Sequence, residues 1–402
     1  MNQNKLKTIS YQFNALYDFI NKQYFEVENF SLCILLSMIS RTNMIALGQP
    51  GIAKTAILRT VVDAIDFRNI NGTPYFHIQM GSDISPNNVF GAPDIEYFKH
   101  HGIIKRHYKG FLPDAIIAFC SEFYRVNDQV ANSGLLTILN EGEFKNGTDT
   151  VKTKLRFFMA DTNFFPKQVD DLDAEETDIK LQALHDRFLA RVLVQPLSDP
   201  ENKLKMILMK DHHGADVSIS LENIIYIQDH LEDVVLDEDI ARLMIDISDT
   251  LQNKHNVFIS PRRLKLSRNM VRAHALFNGR LYCTTDDLKA LQYTFWQKEE
   301  DIIKVNDQIL EKMDLPRIHA LKYEKIMDSI EEELERNINN QSDFYDFDID
   351  KIYEQAIYNV VKLLERISAE YPVAERYEVI RNVKKHIEIS YNRLTSERLA
   401  LK

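Results

Sequence analysis

The sequence predicts a parallel α/β nucleotide-binding core followed by helices, on three observations. Five short apolar runs, at Met44 to Gly48, Tyr75 to Met80, Ala115 to Cys120, Leu155 to Ala160 and Val192 to Gln195, are separated by segments with helical spacing. The first run leads straight into a glycine-rich loop ending in lysine and threonine, "LGQPGIAKT". After Pro200 the strand signals fade, and apolar residues recur at helical intervals. Strands joined by helices of this length form parallel sheets covered on both faces.

Each element has its own warrant. Residues 1–40 read as helices, with Ile9, Phe13, Leu16, Phe19 and Ile20 in helical register, followed by the apolar run Phe30 to Ile39. In "ISPRRLKLSRNMVRAHALF" the helical spacing lies in Leu264, Met270, Val271, Ala275 and Leu276. Further on, Ile357, Val360, Leu364 and Ile367 share one face, as do Tyr377, Ile380, Val383, Ile387, Tyr391 and Leu394. The polar, aperiodic stretch "NINNQSDFYDFDID" between these helical segments is a linker candidate. The boundaries expected from these patterns are a core over 1–198 with its helical segment 1–40, a helical lid over 199–293 and a helical accessory region over 294–402.

Composition limits the function. Of 402 residues, 45% are apolar, 10% aromatic and 27% charged, as expected for a globular chain of more than one core. The net charge of −11 offers no general attraction to a phosphate backbone or to anionic lipid, so nucleic acid is not the expected primary partner. Cys33, Cys120 and Cys283 are odd in number and widely spaced, which argues for a reducing compartment and against structural zinc. The opening "MNQNKLKTIS" leads into no leader-type apolar core, and Phe30 to Ile39 is too short to span a bilayer. A cytoplasmic protein without membrane insertion is expected.

The loop carries the chemistry. Holding a triphosphate requires inward backbone N–H groups, a helix N-terminus, a lysine reaching the β and γ oxygens, and a hydroxyl on magnesium. Met44 to Leu47 supply the strand, Gly48 and Gly51 the tight backbone, Lys54 the ammonium, Thr55 the hydroxyl and "AILRTVVDAI" the helix. Gly48, Gln49, Pro50, Gly51, Ile52, Ala53, Lys54, Thr55 and Ala56 are the nucleotide-binding candidates. Ala53 stands where such loops have glycine before the lysine. A helical backbone there accepts the methyl group, and the change matters only if φ must be positive.

With its later motifs, the chain resembles the MoxR family of AAA+ ATPases, most closely the RavA branch, from about Phe25 to Asp287. "FEVENFSLCILLSMI", "GQPGIAKT", "SPNNVFGAPDIEYFKHHGII", "GFLPDA", "LLTILNEGEFKNG", "ALHDRFLARV" and "SPRRL…AHALFNGR" occur in the family's order. The resemblance implies an AAA+ P-loop αβα core with a parallel sheet, a helical lid, and use of ATP and Mg2+. It makes Glu122 the carboxylate that polarises the attacking water. Asn163 becomes the sensor that holds this water, and Arg187 a finger acting on the neighbouring subunit's nucleotide. Arg262 corresponds to the lid arginine on its own subunit's γ-phosphate, with Arg263 as the competing choice. Read without the family, Arg187 could simply pair with Asp186 or another local acid.

One departure bears on the metal. The family pattern has Asp-Glu where this chain has Ser121-Glu122. Ser121 and Thr55 are the metal candidates, and a serine hydroxyl gives a weaker field than a carboxylate. Either Asp161 or another acid compensates, or hydrolysis is slow, or the chain is a nucleotide-gated scaffold that hardly hydrolyses.

Ile84 to Pro113 resembles the family's second-helix insertion. Its Lys105, Arg106, His107 and Lys109 are expected to form a basic patch on a hairpin, facing either a client or solvent. His100, His101 and His107 lack a cysteine or acid at ligand spacing, and "DDLDAEETD" at 170–178 reads as an exposed acidic loop. The family implies a homo-hexameric ring that remodels a client in a chaperone-like way, often with a von Willebrand A-domain protein. The helices after residue 294 are the natural docking element.

Overall fold

The structure, a computed structural model, describes residues 2–68, 72–164, 182, 184–209, 217–340 and 349–401. The acidic stretch 170–178, and positions 341–348 of the linker candidate, lie outside the described residues. The chain divides into two compact units, 1–308 and 309–402.

The first unit is built on a five-stranded parallel sheet: β1 (Met44–Leu47), β2 (Thr73–Gln79), β3 (Ala115–Ser121), β6 (Phe157–Thr162) and β7 (Ala190–Leu193), in the order β2-β3-β6-β1-β7. These are the five predicted strands, with ends displaced by a few residues. β1, β3 and β6 are buried along their whole length, as expected for strands covered on both faces. A separate antiparallel hairpin, β4 (Glu143–Asn146) and β5 (Asp149–Lys152), turns at Gly147 with φ 68°. The two-residue loop Gly147-Thr148 puts glycine at its first position, where a turn of this kind requires positive φ, a hairpin signal absent from the sequence-based expectation.

Two helices precede the sheet. In α1 (Gln3–Gln23), Asn2 caps the first turn through Oδ1, and Leu6, Ile9, Phe13, Leu16 and Ile20 form the buried stripe. α2 (Glu28–Ser40) is buried on nearly every side because it lies between the sheet and later helices. Its serines are satisfied internally: Ser31 bonds Asn21, and Ser40 bonds Thr42 at 2.8 Å.

In the later part of this unit, α8 (Leu221–Asp229), α9 (Glu238–His255), α10 (Pro261–Phe277) and the 3-10 segment Thr285–Tyr293 pack as a helical layer. Both α8 and α10 contact α2. The "AHALFNGR" motif has a structural role here. Fully buried Asp287 binds His274 Nδ1 at 2.6 Å, Arg280 at 2.7 and 2.8 Å, and Thr284 N at 2.7 Å. These bonds hold its carboxyl below the ordinary range although burial pushes the other way.

In the second unit α12 (Leu315–Asn340), α13 (Ile349–Glu370) and α14 (Glu378–Ala400) pack on one another. Tyr323, Met327, Val360, Ile367, Ile380 and Ile387 are at its centre, including residues from both predicted apolar faces. Asp350 receives Arg398 through two hydrogen bonds and so ties the ends of α13 and α14.

Candidate functional site

The glycine-rich loop connects β1 to α3 (Lys54–Asp63) at the C-terminal edge of the sheet. That edge is where open α/β sheets present ligand-binding loops. Gly48 has φ 153°, and a Cβ there would meet Val194 O at 2.5 Å, so the loop leaves the sheet too close to β7's exit for any side chain.

Ala53 corrects one expectation. It is not helical but left-handed, with φ 59° and ψ 13°, and serves as the N-cap of α3 without a side-chain hydrogen bond. For a residue with a Cβ this conformation costs roughly 1–2 kcal/mol. Ala53→Gly removes that strain and gives back roughly 0.5–1 kcal/mol through the freer unfolded chain. A net gain of roughly 0.5–1 kcal/mol is the expected result in urea unfolding, and a loss of stability would show that the strain is not carried by this residue.

Three predicted residues converge beyond the loop. Lys54, only 5% exposed, donates through Nζ to Gly48 O at 2.6 Å, Gln49 O at 2.7 Å and Asn163 Oδ1 at 3.0 Å. Asn163 follows β6, and its Nδ2 donates to Glu122 Oε1 at 2.5 Å. The amide is oriented by its neighbours, oxygen to the ammonium and nitrogen to the carboxylate. Glu122 follows β3 with φ 53° and ψ 40°, and its Oε2 lies 3.4 Å from Arg125 Nε. Burial lowers the Lys54 pKa, while Asp161 and Glu122 act to raise it.

The two metal candidates differ in setting. Thr55 Oγ1 donates to Asp161 Oδ2 at 2.9 Å, and Asp161 Oδ1 accepts from Glu122 N at 2.9 Å. Ser121 is buried at the end of β3, in the strand beside Asp161. Burial raises the Asp161 pKa, against the hydrogen bonds from Glu122 N and Thr55 and the charge of Lys54. Among the described residues no group of three or more His, Cys, Asp or Glu could hold a metal by itself. Magnesium carried on a nucleotide does not require one, since phosphates and waters fill most of its shell.

The arginines lie at the other edge of the sheet. Because β1 and β7 are parallel, with Met44 beside Ala190 and Leu47 beside Leu193, the turn before Ala190 is separated from the loop by the length of the strand, about 10 Å. Arg187 is in that turn, half-buried, and its Nε has no hydrogen-bond partner among the described residues. The local pair raised as an alternative forms differently: Asp186 meets Arg191 at 3.4 Å. Arg191 and Arg263, both buried, hold the turn by its carbonyls, Arg191 through His185 O and Phe188 O, Arg263 through Phe188 O and Leu189 O.

This arrangement corrects the reading of Arg262. It lines a cleft of about 1050 Å³ together with Arg187, Arg41, Asn43, Phe157 and Leu189, all at the N-terminal ends of the strands. From there it cannot touch a phosphate held by its own Lys54. Arg263, the competing choice, is a strut for the turn; burial brings its pKa down to about 10.

The expected basic patch is also corrected. Lys105 Nζ binds Asp149 at 2.6 Å, Arg106 donates to Asn87 Oδ1 and Gly91 O, and His107 Nε2 lies 3.6 Å from Asp94. Three of the four side chains thus hold the insertion to itself and to the β4–β5 hairpin, where Asn146 also exchanges hydrogen bonds with the Arg106 backbone.

Comparison with known proteins agrees with this architecture. Residues 11–232 match the model of the MoxR domain in the MoxR-vWA-beta-propeller ternary systems, and 239–309 match an AAA lid domain. Two uncharacterized proteins of Methanocaldococcus jannaschii are each 28% identical. One aligns over 87% of this chain and 84% of its own length, the other over 75% and 76%. A crystal structure of a candidate ATPase from Cytophaga hutchinsonii superposes with a TM-score of 0.57 at 18% identity, covering 77% of this chain and 96% of that one; at this identity the likeness speaks for the fold.

Proposed function

Since the chain belongs to the MoxR family of AAA+ proteins, we propose that it binds and hydrolyses ATP with Mg2+ in a ring of identical subunits. The observation that carries this reading is the division of parts between two edges. Lys54, Asn163 and Glu122 form one hydrogen-bonded chain at the phosphate loop, whereas half-buried Arg187 lies at the opposite end of the strands. From the N-terminal end of β7 the Arg187 guanidinium is too far from the phosphates of its own loop, so a nucleotide that it serves would be held by another copy.

Lys54 would grip the β and γ oxygens, the amides of the loop and of α3 would surround the phosphates, and Thr55 would face the metal. When bound, Mg2+ would supply charge neutralisation to the phosphates. Glu122, oriented by Asn163, is suited to accept a proton from the attacking water. Arg262, next to Arg187 in the same cleft, would add positive charge toward the neighbour's phosphates. A six-membered ring, the RavA-like affinity and chaperone-like remodelling of a client rest on the family resemblance. The matched MoxR model comes from systems that include a von Willebrand A-domain protein, which supports such a partner. We assign the core to 1–198, the lid to 199–293 and the partner-binding region to 294–402. No described helix is long and apolar enough to cross a membrane; a cytoplasmic location is proposed on the sparse, widely spaced cysteines.

Calorimetry with ATP tests the central part. Lys54→Ala is expected to weaken binding by about thirtyfold or more, since truncating one partner of a buried charge pair costs about 2–5 kcal/mol. Equal affinity in the variant, or no affinity for nucleotide in the parent chain, would remove the reading. The second reading, a nucleotide-gated scaffold with little hydrolysis, is favoured by Ser121; phosphate release with Mg2+ separates the two.

A further inference from the structure

We infer that Asp161, on β6, supplies the magnesium-holding carboxylate that Ser121 cannot, so that the metal site has moved sideways by one strand. This rests on the nucleotide-binding reading above and specifies its metal site. Three features of the structure support it.

The first is register. β3 and β6 are parallel neighbours with Cys120 beside Ala160, so the next pair is Ser121 and Asp161. Lateral neighbours in a sheet project to the same face. A carboxylate lost from one position is therefore present on the adjoining strand, at the same level of the sheet and on the same side.

The second is the hydrogen bond from Thr55 Oγ1 to Asp161 Oδ2 at 2.9 Å. A hydroxyl has one hydrogen and two lone pairs. With the hydrogen directed at Asp161, the lone pairs remain for a cation. Asp161 thus fixes the hydroxyl in the orientation a metal ligand needs, and its charge adds the field that a neutral serine lacks.

The third is rigidity. Asp161 is 4% exposed, and Oδ1 is occupied by Glu122 N at 2.9 Å. The carboxylate therefore has one oxygen bound to the residue that follows Ser121 and the other to the phosphate loop. A hard cation between loop and strand would find oxygen donors already in position, as Mg2+ prefers. The bond to Glu122 N also sets the backbone from which the Glu122 carboxylate projects.

The test compares ADP and ATP affinity in EDTA and in Mg2+ by calorimetry, for the full chain and for Asp161→Asn. Asparagine keeps an oxygen for Glu122 N and removes the charge. Because a negative charge near the phosphates is removed, affinity in EDTA is expected to be no weaker than in the parent, while the strengthening by Mg2+ falls about tenfold or more, the scale of loss seen when a residue supporting a metal is removed. An intact Mg2+ effect in Asp161→Asn overturns the inference. Should that variant fail to fold, the double variant Ser121→Asp with Asp161→Ser returns the carboxylate to β3. A Mg2+ effect within threefold of the parent supports the interchange, and its loss overturns it. The two readings fail differently: absence of nucleotide binding in the parent chain sinks the nucleotide site, whereas binding that Mg2+ does not strengthen sinks only the assignment of Asp161.

Discussion

Arg187→Ala is expected to lower ATP turnover by about 10³-fold or more while leaving nucleotide affinity of a single chain unchanged, because an arginine supplied to a neighbour's phosphates is worth about 10³ to 10⁵ in rate. The turn that carries it is held by Arg191 and Arg263 through its backbone, so removing the side chain leaves the mount in place. Mixing gives the sharper measurement. Copies with Arg187→Ala keep an intact Glu122, and copies with Glu122→Gln keep an intact finger. Mixed assemblies should therefore recover phosphate release that neither variant shows alone. If mixtures stay as inactive as their components, Arg187 does not act between copies.

The second large effect is at Glu122. Glu122→Gln should reduce phosphate release by about 10² to 10⁴-fold, the range attributed to a positioned general base, with ATP still bound. The glutamine oxygen can still accept from Asn163 Nδ2, now 2.5 Å from Oε1, so the variant removes charge and basicity rather than the local fold. Bound ATP, counted by filter binding, should accumulate in it. Phosphate release that is already undetectable in the parent and no lower in the variant would favour the scaffold reading and leave hydrolysis without support.

The sequence made the sheet and the phosphate loop readable because both have strictly local signatures. Apolar runs of strand length give the strands, and Gly-x-x-Gly-x-Ala-Lys-Thr after a buried strand gives the loop. Glu122 and Asn163 stand out only through the family resemblance, since a polar residue ending a strand is commonplace, and their convergence on Lys54 follows from β3, β6 and β1 being neighbours. The misreadings depend on non-local geometry. Ala53 gives no sign in the sequence of its left-handed backbone, since that follows from the path between β1 and α3. Arg262 and Arg263 are adjacent letters, and which becomes a strut depends on α10 docking at the start of β7. The basic patch dissolves because Asp149, on a hairpin 44 residues from Lys105, comes to rest against it. Asp161 could be raised as a substitute acid, but its place beside Ser121 becomes visible only when two strands separated by a hairpin are set in register.

The position of α2 has a consequence for how the chain forms on the ribosome. α2 is among the first segments made, yet part of its cover is α8 and α10, synthesised some two hundred residues later; Gln228 Nε2, for instance, donates to Met38 O at 2.8 Å. During elongation a strongly apolar helix must wait for partners that have not been translated. Pairings this distant slow folding and leave greasy surface open to association in the interval. Truncation before α10 would therefore make this wait permanent, and shortened products from the 5′ part of the message are natural substrates for holdase chaperones and proteolysis.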